Sequence, residues 1–158
     1  VQALLEEDLF FITARTSSTR QRSAATRLTQ LRHEPVILPT GPHGLRSTLD
    51  TAFERAKVRP NVVGEIDSLQ LLMDAVLHGL GGTLQPWGAL TRVTQAAERL
   101  TWTRISDPGV KRPNLLCSLS DEEMSPPALA ARVVLRDCAH ALVTQGQWIG
   151  ARLSHRKN

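Results

Sequence analysis

Short uninterrupted apolar runs alternate with longer amphipathic segments along the chain, and this alternation predicts strands that alternate with helices. A short apolar run without polar interruptions is typical of a strand that is buried on both faces. The residues predicted to form strands are 9–13, 35–38, 61–66, 100–106 and 114–120, with a further short strand within 82–90.

Three longer segments repeat apolar residues every three or four positions, which predicts helices with one apolar face. The first helix follows residues 35–38, and the side chains on its apolar face are Leu45, Leu49, Phe53 and Ala56. The second begins at a cap formed by Asp67 or Ser68, and its apolar stripe comprises Leu69, Leu72, Met73, Val76, Leu77 and Leu80. The third begins at Ser125 and two prolines, and its apolar face comprises Ala131, Val134, Leu135, Cys138 and Leu142.

The order strand, helix, strand, helix, strand is typical of a parallel α/β sheet. Such sheets bind their ligands beyond the carboxyl ends of the strands. Three segments are expected at that end, namely residues 39–44, the cap at Asp67 and Ser68, and residues 83–86. The pattern therefore predicts a cleft with these three loops as walls.

Composition and charge narrow the class of protein. The chain has 158 residues, of which 41% are hydrophobic, and a formal net charge of +4, as is typical of a globular protein. No apolar run reaches the roughly 18 residues that span a bilayer, so we expect no membrane partner. Basic residues concentrate in 15–32 and 152–157 without interleaved aromatic side chains. That pattern favours solvated segments over a nucleic-acid surface.

Motifs for catalysis are missing from the sequence. It contains no GxSxG element and no glycine motif for phosphates or dinucleotides. Its histidines are not spaced as metal ligands, so we expect no catalytic residue, no metal and no cofactor. His43 is the one histidine in the predicted cleft, and a polar loop residue explains it better than a general base. Cys117 and Cys138 lie in apolar surroundings without a CxxC pattern, which favours free thiols and a reducing, cytoplasmic setting.

The polar groups that remain in the predicted cleft are small hydroxyl, amide and backbone donors. They belong to Thr40, Gly41, Ser68, Thr83 and Gln85. Next to the N–H groups of helix N-termini, such donors suit a polar or anionic small molecule. Capping and helix termination are the alternative explanation for each of these residues taken alone.

Several motifs occur in a specific order along the chain: "LLEEDLFFI", the proline-terminated strand "EPVILP", then "HGLR", "EIDS" and "GLGGT". In this order they resemble the effector-binding region of LysR-type transcriptional regulators, and the resemblance covers essentially the whole chain. The segments "LTWTRISDP" and "NLLCSLSDEEMSPPALAARVVLRD" resemble the return strand, last strand and C-terminal helix of that family. Within the family, "EEDLFFI" and "GEIDS" are most similar to the branch of the nitrogen assimilation control protein.

The resemblance implies an α/β, periplasmic-binding-protein-like fold, in which two lobes are joined by crossing strands and enclose the effector. One complete α/β lobe would span residues 15–106, and residues 1–14 and 107–158 would form part of a second, discontinuous lobe. The DNA-binding domain and the first half of the discontinuous lobe are absent from this chain, so DNA would be bound only through an N-terminal domain outside it. The strands at 9–13 and 114–120 are then expected to expose edges or apolar faces, which favours self-association or partial disorder of these segments.

The resemblance also implies regulation by a small-molecule effector, rather than catalysis, in a cytoplasmic dimer or tetramer. By their positions in the strand-end loops, the expected effector-binding residues are Thr40, Gly41, His43, Asp67, Ser68, Thr83, Gln85 and Pro86. Thr40 and Ser68 would donate hydroxyl hydrogen bonds. Thr83 and Gln85 would select polar groups of the effector, and Pro86 would shape the pocket.

Three other classes of protein are compatible with parts of the sequence. A solute-binding module of a transport system shares the fold, although "EIDS" and "HGLR" fit the regulator better. An enzyme such as a transferase needs a nucleophile or a paired base, and His43 with Asp67 is the one pair available in the loops. An interaction module that works through its helices alone is the third alternative.

Overall fold

The protein is described by a computed structural model that covers residues 1–16, 24–41 and 44–154. His43 and several basic residues of the two clusters lie outside the described residues. The chain divides into two compact units, one formed by Val1–Glu7 with Pro113–Asn158 and the other by Asp8–Arg112. The sequence had placed the corresponding boundaries after residues 14 and 106.

The described residues form eight strands, four α-helices and two 3₁₀ segments, which confirms the predicted α/β class. The strands are β1 (Gln2–Ala14), β2 (Ala25–Thr26), β3 (Pro35–Leu38), β4 (Asn61–Glu65), β5 (Thr83–Pro86), β6 (Leu100–Ile105), β7 (Lys111–Leu116) and β8 (Ala151–Leu153). The helices are α1 (Gly44–Ala56), α2 (Leu69–Leu77), α3 (Ala96–Arg99) and α4 (Pro126–Thr144). The 3₁₀ segments are Leu28–Leu31 and Trp87–Arg92.

Strand pairing in the unit Asp8–Arg112 is partly parallel and partly antiparallel. β3 and β4 pair in parallel, as the strand–helix–strand order predicts. β1 pairs antiparallel with β5 on one side and with β6 on the other. The predicted parallel pairing is therefore confirmed for β3 and β4 but wrong for β1, because the chain returns along β1 twice, in β5 and in β6.

The second half of β1 is buried on both faces. Leu9 and Phe11 belong to one hydrophobic core, which includes the apolar face of α1. Phe10 and Ile12 belong to a second core, which includes the buried residues of α2. Alternate side chains of a strand point to opposite faces. A strand that packs against a core on each face therefore needs consecutive apolar residues, which are "LFFI" in this chain. The expectation that residues 9–13 expose an edge or an apolar face is wrong for the same reason.

The apolar stripes of α1 and α2 are largely confirmed. Leu45, Leu49 and Phe53 of α1 are buried, and Ala56 packs against them. In α2, the buried members of the predicted stripe are Leu72, Met73 and Val76. The predicted stripe is not buried at its two ends, where Leu69 is 36% and Leu80 is 64% exposed, so the prediction is wrong there. The helix ends at Leu77, and the chain turns at Gly79 with φ +75°, so Leu80 lies beyond the helical periodicity.

The other unit contains the first half of β1. Leu5, Glu6 and Glu7 pair antiparallel with β8, and β7 also pairs with β1. Glu7 is buried, and its carboxylate accepts hydrogen bonds from Asn114 Nδ2 and Trp148 Nε1, both at 2.8 Å. Because these hydrogen bonds satisfy the buried carboxylate, the strand can include Glu7. The strand β1 therefore begins at Gln2 and not at Leu9 as predicted.

The apolar face predicted for the last helix is exposed in this chain. On α4, Val134 and Leu135 are 58% and 57% exposed. The strand predicted at 114–120 ends at Leu116, and Leu115 and Leu119 are more than half exposed, so the expected apolar exposure is confirmed there. Cys117 and Cys138 are free, but both are exposed instead of lying in apolar surroundings.

Candidate functional site

The loops that follow β3 and β4 are joined by hydrogen bonds. The backbone N–H of Thr40 donates to Asp67 Oδ1 at 2.9 Å, and the Thr40 hydroxyl donates to Oδ2 at 2.8 Å. The register of this parallel pair shifts between Val36 and Ile37, and Leu38 then lies opposite Glu65, which brings the two carboxyl ends together. Two of the three loops named from the sequence therefore meet at one edge of the strand pair.

Helix α2 begins directly beside this junction. Ser68 is its N-cap, and the Ser68 hydroxyl accepts a hydrogen bond from the N–H of Leu71 at 3.4 Å. The first turn of a helix has unsatisfied N–H groups and a partial positive charge. Gly41 lies in the turn after Thr40 and is exposed. Asp67, Ser68, Thr40 and Gly41 thus form one local cluster at a helix N-terminus, which we call the strand-end cluster.

The remaining predicted site residues lie in β5. Thr83, Gln85 and Pro86 are all buried, and they pair with Ile12, Phe10 and Leu9 of β1. Gly82, just before β5, accepts from the N–H of Ile37 at 2.7 Å and donates to Pro35 O at 2.8 Å. These contacts place the start of β5 next to β1 and next to the first residues of β3. Thr40, in contrast, lies at the other end of β3, after its last residues.

Thr83 differs from the other predicted residues in its hydrogen bonding. Its side chain is fully buried, and its hydroxyl oxygen has no hydrogen-bond partner among the described residues. A buried hydroxyl without a partner costs free energy. A polar group of a ligand or a water molecule would satisfy it. Thr103 on β6 shares this property.

Arg46 lies beside the strand-end cluster, where it contacts the residue before Thr40, and the sequence did not single it out. Its Nε donates to Asp50 at 2.8 Å and its Nη1 to the carbonyl of Pro39 at 2.9 Å, and it also forms a short ion pair with Glu65. The side-chain hydrogen bonds to Glu65 and then Asp50 raise the pKa of Arg46 above its usual value. The guanidinium therefore links α1, the end of β3 and the end of β4. The sequence offers one indication of this role, which is the spacing of four residues between Arg46 and Asp50 that is typical of an ion pair on a helix face.

Among the residues described, no group of three or more His, Cys, Asp or Glu side chains is placed to hold a metal ion. No helix within the same residues has the length and apolar character needed to cross a bilayer. The strand-end cluster itself is a set of hydrogen-bonding groups, an arrangement that can bind a polar molecule.

Comparison with known proteins gives a family match over most of the chain. The model of the LysR substrate binding domain family matches residues 1–139. The nitrogen assimilation regulatory protein nac of Klebsiella aerogenes is 28% identical over 135 residues, which are 85% of this chain and 42% of that protein. The chain thus spans less than half the length of this curated relative.

Solved structures give the same fold. The effector binding domain of QuiR in complex with shikimate matches with a TM-score of 0.69 and 18% identity, over 91% of this chain and 65% of that one. The CcmR regulatory domain of Synechocystis PCC6803 in complex with 2-PG matches with a TM-score of 0.67 and 23% identity, over 89% and 65%. These matches confirm the periplasmic-binding-protein-like fold and the resemblance drawn from the motifs. The chain belongs to the LysR substrate binding domain family.

Proposed function

We propose that this chain is the effector-sensing region of a LysR-type transcriptional regulator and binds a small polar or anionic molecule. The observation that carries the proposal is the family match over residues 1–139. The N–H groups at the start of α2 support the ligand class, because helix N-termini attract negative charge, and the Asp67 carboxylate beside them is already bonded to Thr40. QuiR and CcmR, which share the fold, were solved with shikimate and 2-PG bound.

The proposed mechanism is a shift between two conformational populations and involves no catalysis. A ligand that binds one conformation more tightly shifts the equilibrium by at most its difference in affinity. Such a regulator acts in the cytoplasm as a dimer or tetramer and contacts DNA through a domain outside this chain. The relative from Klebsiella aerogenes is itself named a regulatory protein.

Within the cluster, the effector would interact with Thr40, Gly41 and Ser68 and with the first N–H groups of α2. Asp67 has a positioning role, since its carboxylate accepts both bonds from Thr40. Thr83, Gln85 and Pro86 would complete the site from β5, where the Thr83 hydroxyl has no hydrogen-bond partner within the described part of the chain. His43 remains part of this proposal.

The test is a transcription reporter for the full-length protein, combined with a screen of small carboxylates and phosphates that includes shikimate. The variant Thr40→Val with Ser68→Ala should lose at least tenfold in effector sensitivity while its level and its DNA binding stay unchanged. The matched control is Thr91→Val with Ser125→Ala. Thr91 bonds only to its own 3₁₀ segment, and Ser125 makes no side-chain cap bond. An unchanged effector response in the first variant would show that the cluster is not the effector site.

A further inference from the structure

A cavity lies in the unit Asp8–Arg112, between the outer face of α1 and the turn at residues 107–110. Its volume is about 360 Å³, in the range of small-molecule sites. Its floor is apolar and buried, formed by Ala52 and Val110. Its walls and rim carry polar groups from both elements, namely Thr48, Thr51, Arg55 and Asp107.

Two opposite charges line this cavity without pairing. Among the described residues, Arg55 forms no ion pair or hydrogen bond, although Asp107 lines the same space. Gly109, with φ +76°, brings the turn against the guanidinium, since a Cβ there would lie 3.5 Å from Arg55 Nη1. Arg55 is therefore in position to receive a carboxylate, which a guanidinium binds through two parallel hydrogen bonds.

Hydrogen-bond acceptors line the cavity from both elements, namely from Asp107 in the turn and from two threonines of α1. Asp107 Oδ2 accepts from the N–H of Leu28 at 2.9 Å, and Oδ1 has no hydrogen bond among the described residues. The hydroxyls of Thr48 and Thr51 donate to the carbonyls of Gly44 and Ser47 within α1. Their protons are used, so their oxygens can only accept. One carboxylate and two accepting hydroxyls suit an ammonium group, which has three donors.

We propose that this cavity is a second binding site, distinct from the strand-end cluster, for a small zwitterionic amino acid. Arg55 binds the carboxylate, and Asp107 with the two threonine hydroxyls binds the ammonium group. The apolar floor takes the side chain. An anion alone would leave the Asp107 charge facing it, and a cation alone would face Arg55, so a molecule with both charges fits best.

The test measures binding of the twenty amino acids, one at a time, to the 158-residue chain by isothermal titration calorimetry. At least one should bind. Its deaminated acid and its decarboxylated amine should each bind at least tenfold more weakly. Arg55→Met keeps the aliphatic stem, and Asp107→Asn keeps an acceptor for Leu28, yet both should weaken binding at least tenfold. Arg59→Met, an exposed arginine outside the cavity, is the matched control.

Binding should be unchanged in Thr40→Val, which separates this site from the proposed effector site. The second site is refuted if no amino acid binds at 20 mM, or if Arg55→Met and Asp107→Asn bind as the unmodified chain does. Equal affinity for the deaminated acid would contradict the zwitterion. Loss of binding in Thr40→Val would place the ligand in the strand-end cluster and would overturn the second site while leaving the proposed function standing.

Discussion

At the scale of single residues, Gly82 shows how closely β5 approaches β1. A Cβ at this position would lie 2.5 Å from two ring atoms of Phe11 and 2.9 Å from Thr13 Cγ2. Phe11 is 1% exposed and packed in the core, so it has little room to move. The glycine is therefore required by the packing of one strand against its neighbour.

Gly82→Ala should lower the free energy of unfolding by about 1–3 kcal/mol, the usual cost of overpacking a core. Urea denaturation followed by circular dichroism measures the change. Gly88→Ala is the control, because its Cβ would meet nothing within 4 Å. Equal stability of the two variants would show that the Phe11 ring moves aside at little cost.

The contact between the Glu123 carboxyl and Ser120 depends on pH. Hydrogen bonds from the Ser120 hydroxyl, at 2.6 Å, and from the Ser120 N–H lower the pKa of the Glu123 carboxyl below its ordinary value of 4.5. Because the pKa is lowered in the folded state, these hydrogen bonds stabilise the turn at pH values above the ordinary pKa. That stabilisation is lost as the pH falls through the lowered pKa of the folded state.

Ser120→Ala should move the pKa of Glu123 part of the way back towards its ordinary value, since the backbone bond remains. Carboxyl chemical shifts followed by NMR between pH 2 and about 7 measure this. Ser125→Ala should leave the titration of Glu123 unchanged, because Ser125 makes no side-chain cap bond. A titration of Glu123 that is identical in Ser120→Ala and the unmodified chain would contradict the assigned cause.

At the scale of elements, Arg46 adds polar contacts to the apolar packing that attaches α1 to the strands. Its side chain is 17% exposed, while those of its partners Asp50 and Glu65 are about half exposed. Exposed ion pairs contribute little by themselves. The bond to the Pro39 carbonyl adds a charge-assisted contact that holds the end of β3 against the start of α1.

Arg46→Met should lower the free energy of unfolding by about 1–2 kcal/mol, the range for hydrogen bonds to charged groups after screening. It should also increase hydrogen exchange at Thr40, whose N–H bonds to Asp67. Urea denaturation and amide exchange by NMR are the measurements. Arg92→Met, in the 3₁₀ segment after β5, is the control. Unchanged exchange at Thr40 would mean that the loop does not depend on Arg46.

At the scale of the whole molecule, the described chain leaves an apolar surface exposed on α4. Val134, Leu135 and Leu142 are 58%, 57% and 38% exposed. Apolar patches of this kind are typical of surfaces that another protein surface covers. Self-association of the chain, expected from the sequence, remains a prediction.

Sedimentation velocity over a hundredfold range of concentration should show oligomers of the 158-residue chain. Leu135→Glu should shift the equilibrium towards monomer at least tenfold, because a charge at an apolar contact is costly to bury. Leu71→Glu, at a leucine that is 61% exposed on α2, is the control. A monomer at every concentration would refute self-association through α4.

The sequence by itself determined the α/β class, the burial of the second half of β1 and the apolar faces of α1 and α2. Burial on both faces of a strand produces an uninterrupted apolar run, and burial of one helix face produces a period of three to four. It also placed Thr40, Asp67 and Ser68 together, because consecutive parallel strands end at the same edge.

Only the tertiary structure decided the antiparallel pairing of β1, the linking role of Arg46 and the exposure of α4. Strand direction depends on where the chain returns, which residue periodicity does not record. Arg46 gains its role from Pro39 and Glu65, which are 7 and 19 residues away along the chain. The periodicity of a helix likewise predicts an apolar face but does not predict which segment packs against that face, because burial depends on contacts between segments that are distant in sequence.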